Sequence, residues 1–180
     1  VLNLLAEVQP CMVGGDMNAH TLNFRALPVR LGLESPTKRV NHWEGPKVSD
    51  ENLTREEAIE RANNITVDSY DVTIDVTTGP EIFRSSTTVV FSATLGYSTF
   101  IDAITTAVHS VTLNDVELDP SDVSNNVRIW LDNLQSKNRL TVVADAAYTN
   151  TGEGLHRFVD PVDNEVYLYT QFEVPDSRRM

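Results

Sequence analysis

Tyr70-Asp71-Val72-Thr73-Ile74-Asp75-Val76-Thr77 decides the fold. Apolar Tyr70, Val72, Ile74 and Val76 alternate with polar Asp71, Thr73, Asp75 and Thr77. A repeat of two puts all four apolar side chains on one face of a strand and leaves the other face in water. A helix would scatter the same residues around its circumference. Thr78-Gly79-Pro80 then turns the chain. Phe83, Ser85, Thr87, Val89, Phe91 and Ala93 share a face of the next strand, with Val90 on the other side. Gly96 interrupts before a short strand at Thr99 to Ile101. Val108, Val111 and Leu113 run into the turn pair Asn114-Asp115, and Val116 and Leu118 return, which reads as a hairpin. Val127, Ile129 and Leu131 supply a further strand, followed by Leu140, Val142 and Ala144.

Short strands at intervals of roughly 8–14 residues, with turn residues between them, predict a mostly β chain. The expected architecture is an antiparallel β-sandwich or saddle-like sheet. No helical pattern of adequate length separates the strands, which excludes a parallel βαβ arrangement. One short helix is expected at the start of the organised part. Thr54-Arg55-Glu56-Glu57 is a capping box, in which the Thr hydroxyl bonds the Glu57 amide and the Glu57 carboxylate reaches back. Ala58, Ile59 and Ala62 form its apolar stripe, and Asn63-Asn64 close it. A helix of about ten residues is marginal alone and must dock on the sheet.

Residues 1–53 are expected to be a poorly ordered N-terminal extension, and residues 54–180 the folded domain. Val1 to Val8 suit a short apolar helix that Pro10 ends. Gly14-Gly15 and Pro28, Pro36 and Pro46 cut the remainder into short pieces. Val48 suits a GTG start codon, so residues 1–47 are read as upstream sequence that is not natively translated; the intact mass of the native protein decides this.

The chain has 180 residues and a net charge of −12. Residues 1–53 hold five Lys/Arg and six Asp/Glu, a net of −1, whereas residues 54–180 hold nine and twenty, a net of −11. Phosphate backbones repel so acidic a domain, so no nucleic-acid partner is expected. No run approaches the ~18 apolar residues of a membrane span, and no secretory signal is evident, so no membrane partner is expected. Cys11 is the single cysteine, which cannot form an internal disulfide and suits a reducing, cytoplasmic location.

Toward the end, Gly152 and Gly154 read as a flexible loop before His156-Arg157-Phe158. Asp160-Pro161-Val162-Asp163-Asn164-Glu165 lacks the EF-hand spacing and central glycine, and reads as an acidic turn between two strands. Val166, Leu168 and Thr170 occupy one face of the next strand and Tyr167, Tyr169 and Gln171 the other. Glu173 follows just before Val174-Pro175 ends the strand pattern. Two polar groups two residues apart at a strand end, Gln171 and Glu173, can aim at one ligand. Periodicity alone favours a polar strand terminus with a solvated carboxylate.

Thr170-Gln171-Phe172-Glu173, with Asp176-Ser177-Arg178-Arg179 after it, resembles the Thr-Gln-x-Glu segment of zinc aminopeptidases of the aminopeptidase N family. Thr151 to Tyr169 resembles the actinobacterial type, which has His156 where other relatives carry Tyr, and Asn52 to Ala58 resembles the signature near which the domain begins. The resemblance runs from about Leu53 to Met180 and implies a substrate-recognition N-terminal β-domain, truncated before the catalytic domain expected after Met180. It further implies that Glu173 binds the free α-amine of a peptide substrate and that Gln171 lines the pocket for the first side chain. Zn²⁺ is the cofactor the resemblance implies for the complete enzyme, with its ligands outside this chain.

None of His20, His42, His109 or His156 is followed by Glu, so the HExxH zinc motif is missing from the sequence. Neither G-x-S-x-G, a P-loop nor G-x-G-x-x-G occurs. No catalytic residue and no metal ligand is therefore assigned in this chain. The alternative reading is a stand-alone acidic β-sandwich that binds protein or glycan.

Overall fold

The computed structural model describes residues 52–173 and 175–179, together with the backbone of 21–26. The helix expected over Val1 to Val8, Cys11, His20, His42 and the start at Val48 lie outside the described residues.

The described residues form ten strands and two short α-helices, closed by a 3₁₀ turn at Ser177–Arg179. β1 (Thr21–Ala26) precedes α1 (Arg55–Asn64), and β2 (Ile65–Asp75) and β3 (Ile82–Ala93) follow. Then come β4 (Thr99–Asp102), β5 (Ala107–Leu113), β6 (Val116–Leu118), α2 (Pro120–Val123) and β7 (Arg128–Leu131). β8 (Lys137–Ala147), β9 (Gly154–Val159) and β10 (Val166–Gln171) complete the chain. The main sheet has the order β1-β2-β3-β8-β5-β6, and every pairing is antiparallel. β4 pairs with β7, and β9 with β10, as separate antiparallel ribbons. The chain is thus mostly β, as its alternation predicts.

Register explains the core. Ile74 stands opposite Ser85, Ser85 opposite Ala144, Phe83 opposite Ala146, and Val89 opposite Leu140. Each alternating apolar row therefore lands on the same face of the sheet. Ile129, Leu131 and Leu134 cover that face and join Val89, Phe91, Val111 and Leu140 in one buried cluster. A second cluster, built from Val72, Ile74, Phe83 and Ala146, receives Leu155 from β9. Leu155 is 1% exposed, so it pins the β9–β10 ribbon to the sheet.

The uneven spacing of Val108, Val111 and Leu113 has a physical cause. The β5–β8 register shifts between Val108 and Ser110, so a bulge at His109 restores the apolar phase. Asn114 and Asp115 both have positive φ, 51° and 66°, as a tight two-residue hairpin demands. α2 was not expected, although Asp119 and Pro120 supply an N-cap and a first-turn proline. Gly154, read as loop, opens β9. Pairing with β10 decides that assignment, because the ladder supplies hydrogen bonds that local propensity does not foresee.

Candidate functional site

Glu173 sits just past the end of β10, and its position is set by three anchors rather than by the strand. First, its carbonyl accepts the amides of Asp176 (2.8 Å) and Ser177 (3.0 Å), which reverses the chain. Second, the returning turn packs on β9 at Gly154, whose φ is +63° and where an added Cβ would lie 3.0 Å from Arg179 Cβ. Third, Ile104 N donates to Arg178 O at 2.7 Å, and Arg178 Nη2 donates to Asn52 Oδ1 at 3.0 Å, which ties the turn to the start of α1. Arg179 also pairs with Glu153 at 3.4 Å. Gln171 and Glu173 themselves are exposed.

Gly154→Ala combines a left-handed backbone with that close approach, and is expected to destabilise the fold by about 1–2 kcal/mol. Thermal unfolding checks it; an unchanged Tm would mean that the turn does not press on β9.

The ribbon carrying Gln171 has two contrasting faces. His156 stands opposite Tyr169, Phe158 opposite Tyr167, and Gly154 opposite Gln171, so these side chains share one face. His156 stacks on Tyr169 with ring centroids 4.6 Å apart. Its Nδ1 accepts the Gly152 amide at 3.1 Å, so His156 is a packed residue braced by backbone. Gly152 has φ +95°, and an added Cβ would meet the Tyr169 hydroxyl at 3.1 Å. The face thus runs from aromatic surface to the amide of Gln171. Phe158, Val159, Val162, Val166, Tyr167, Leu168 and Tyr169 are all exposed. Phe158, Tyr167 and Tyr169 lie on the face shared with His156, and Val159, Val166 and Leu168 on the other. An exposed aromatic row of this kind is typical of a surface that another body covers.

The sheet supplies two charged clusters that sequence reasoning missed. Arg84 holds Asp145 through two hydrogen bonds, Nε to Oδ1 at 2.8 Å and Nη2 to Oδ2 at 3.2 Å, with His109 Nε2 2.8 Å from Oδ2. The hydrogen bonds from Arg84, with those from His109, hold the Asp145 carboxyl below its ordinary value of 3.8. Asp145 bonds its pKa-lowering partners only in the folded chain, so it stabilises the fold above its ordinary range and stops doing so as pH falls through its depressed folded value. Asp145→Asn is therefore expected to lower Tm at pH 7, with the gap to wild type closing as pH falls through the depressed folded value of the Asp145 carboxyl. A gap independent of pH would refute the ionic origin.

The second cluster docks α1. The capping box forms as expected, with Thr54 N donating to Glu57 Oε2 at 2.8 Å and Glu57 N to Thr54 Oγ1 at 3.2 Å. Glu57 also accepts two bonds from Arg128, at 2.7 and 3.1 Å. Burial pulls the Glu57 carboxyl up, but the Arg128 and Thr54 hydrogen bonds outweigh it and hold it below its usual range. Arg61 donates to Asp102 at 2.9 Å. Both guanidiniums stack on Phe100, Arg61 at 4.6 Å and Arg128 at 3.9 Å from the ring centroid. Neither arginine was legible as buried, since each needs its partners from distant strands.

Among the described residues no three His, Cys, Asp or Glu side chains converge as metal ligands. No zinc site is therefore assigned to the described residues. No described helix is long and apolar enough to cross a membrane.

Fold and site together define an antiparallel β-domain that presents an anchored carboxylate beside an uncovered aromatic ribbon. No family model matches the chain. Over 133 residues, 72% of its length, the chain is 57% identical to Aminopeptidase N of Streptomyces lividans. Through that stretch the chain belongs to the aminopeptidase N family. It spans only 16% of that relative's length.

Proposed function

We propose that residues 54–180 are the substrate-recognition N-terminal domain of a zinc metalloaminopeptidase that removes N-terminal residues from peptides. Glu173 binds the free α-amine of the peptide, and Gln171 lines the pocket for its first side chain. The observation that carries this reading is the exposed Glu173 carboxylate on a turn held from both sides, in a chain related to an aminopeptidase N. An ammonium–carboxylate contact at a fixed place admits a chain end and excludes an internal peptide bond. The Zn²⁺ that would supply activated water, and the ligands that hold it, belong to a catalytic domain beyond Met180. The face of β9 and β10 that carries Phe158, Tyr167 and Tyr169 is where that domain packs, which accounts for three large aromatic side chains left exposed on it. Residues 1–53 form an N-terminal extension that adds β1 to the edge of the sheet and takes no part in this role, and the compartment is the cytoplasm. The alternative of a stand-alone protein- or glycan-binding module is disfavoured by the 57% identity to an aminopeptidase N.

Paired kinetics test the reading in the complete enzyme. A free-amine peptide is expected to be turned over and its N-acetylated counterpart to be a poor substrate. Equal kcat/KM for the two would overturn it.

A further inference from the structure

A cavity of about 550 Å³ lies between the main sheet, α1 and the turn that contains Pro175 and Arg178. It opens to solvent at one side, and its volume falls in the range of small-molecule sites. Its walls are mainly apolar, with Val72, Ile101, Ile129 and Val142 among them. Arg61 and Tyr70 are its buried polar groups that can donate. Arg61 is 5% exposed; Nη1 bonds Asp102, but Nε has no hydrogen-bond partner among the described residues. Tyr70 lines the same space, and burial pushes its hydroxyl up to about 12, so it remains a protonated donor. Arg55, Arg178 and Asp102 line the cavity too; Arg61 pairs with Asp102 and Arg178 with Asn52, and Asp102 Oδ1, like Arg61 Nε, has no hydrogen-bond partner among the described residues.

Apolar walls, an unsatisfied buried cationic donor and a phenol call for a ligand with an apolar body and an anionic head. We propose that this cavity binds a small amphiphilic carboxylate, its apolar part against Val72, Ile101 and Val142 and its head accepting hydrogen bonds from Arg61 and Tyr70. Such a ligand satisfies the buried Arg61 Nε and fills a space that the described side chains leave empty. The site is separate from Glu173 and Gln171, and does not depend on the peptidase reading.

The test is calorimetric titration of the 180-residue chain with 4-phenylbutyrate and its neutral amide. Saturable 1:1 binding of the carboxylate is expected, with the amide about tenfold weaker because its head carries no charge. Tyr70→Phe keeps the ring and removes one donor, and is expected to weaken the carboxylate about fivefold. Thr87→Trp from the sheet side or Ala58→Phe from the helix side fills the space, and a variant that stays folded by near-UV circular dichroism is expected to lose binding. Leu168→Asn, on the exposed ribbon, is expected to leave binding unchanged. Absence of saturable binding, equal affinity for acid and amide, an unaffected Tyr70→Phe, or binding that survives in a folded cavity-filling variant would each overturn the proposal. So would loss of binding in Leu168→Asn, which would assign the ligand to the ribbon.

Discussion

Glu173→Ala in the complete enzyme is expected to lower kcat/KM on free-amine peptides by roughly 30- to 4,000-fold, the equivalent of about 2–5 kcal/mol. Removing one partner of a desolvated charge pair leaves the other uncompensated, and here the abandoned partner is the substrate ammonium. The loss should be specific. An N-acetylated peptide has no ammonium to lose, so its already poor turnover should fall far less. Folding should hold, because what fixes the turn is the backbone carbonyl of Glu173, which accepts from Asp176 and Ser177, and the variant keeps that carbonyl. Zinc content should also be unchanged. Steady-state kinetics on both substrates decide the matter. Near-normal kcat/KM on free-amine peptides would return Glu173 to a solvated strand end.

Arg128→Met carries the second large effect, on stability. Arg128 is 4% exposed and holds Glu57 through two hydrogen bonds. Its Nε lies 3.3 Å from Asp102 Oδ1, a charge contact without hydrogen-bond geometry. Methionine keeps the apolar stem over Phe100 but leaves Glu57 without its cation and Asp102 with Arg61 alone. The cost of orphaning a buried ionic partner is about 3–5 kcal/mol. Glu57 keeps some solvent access, at 31%, so the lower end is expected, and Tm should fall by roughly 10 °C. The double variant Arg128→Met/Glu57→Met removes both charges and should recover part of the loss. A single variant that melts within about 2 °C of wild type would show that the pair does not hold α1 in place.

Much of this was legible before any coordinates. The alternation of Tyr70 to Thr77 marks β2, and its apolar side turns inward, with Val72 and Ile74 buried. The capping box at Thr54 and Glu57 is a local interaction, closed within four residues, so it could be read directly. The turn pair Asn114-Asp115 is equally local. The face shared by Tyr167, Tyr169 and Gln171 follows from a period of two.

Other features needed the fold. The sequence cannot show that His156 and Phe158 complete that aromatic face, because register between β9 and β10 is a pairing choice. It cannot show that Arg61 and Arg128 are buried, since desolvating a guanidinium is favourable only once Glu57, Asp102 and Phe100 arrive from elsewhere in the chain. It cannot place Gly154 beneath Arg179, 25 residues later, nor fix the Glu173 turn through that contact.

By itself, then, the sequence determined most strands from Ile65 onward, the first helix and the family, because periodicity, capping and motif spacing are local and additive along the chain, whereas β1, in a stretch read as an extension, follows only from its pairing with β2. The tertiary structure decided which polar groups are buried, which apolar ribbon is left uncovered and where an empty space remains. Those are properties of residues distant in sequence, and only the closing of the sheet brings them within contact distance.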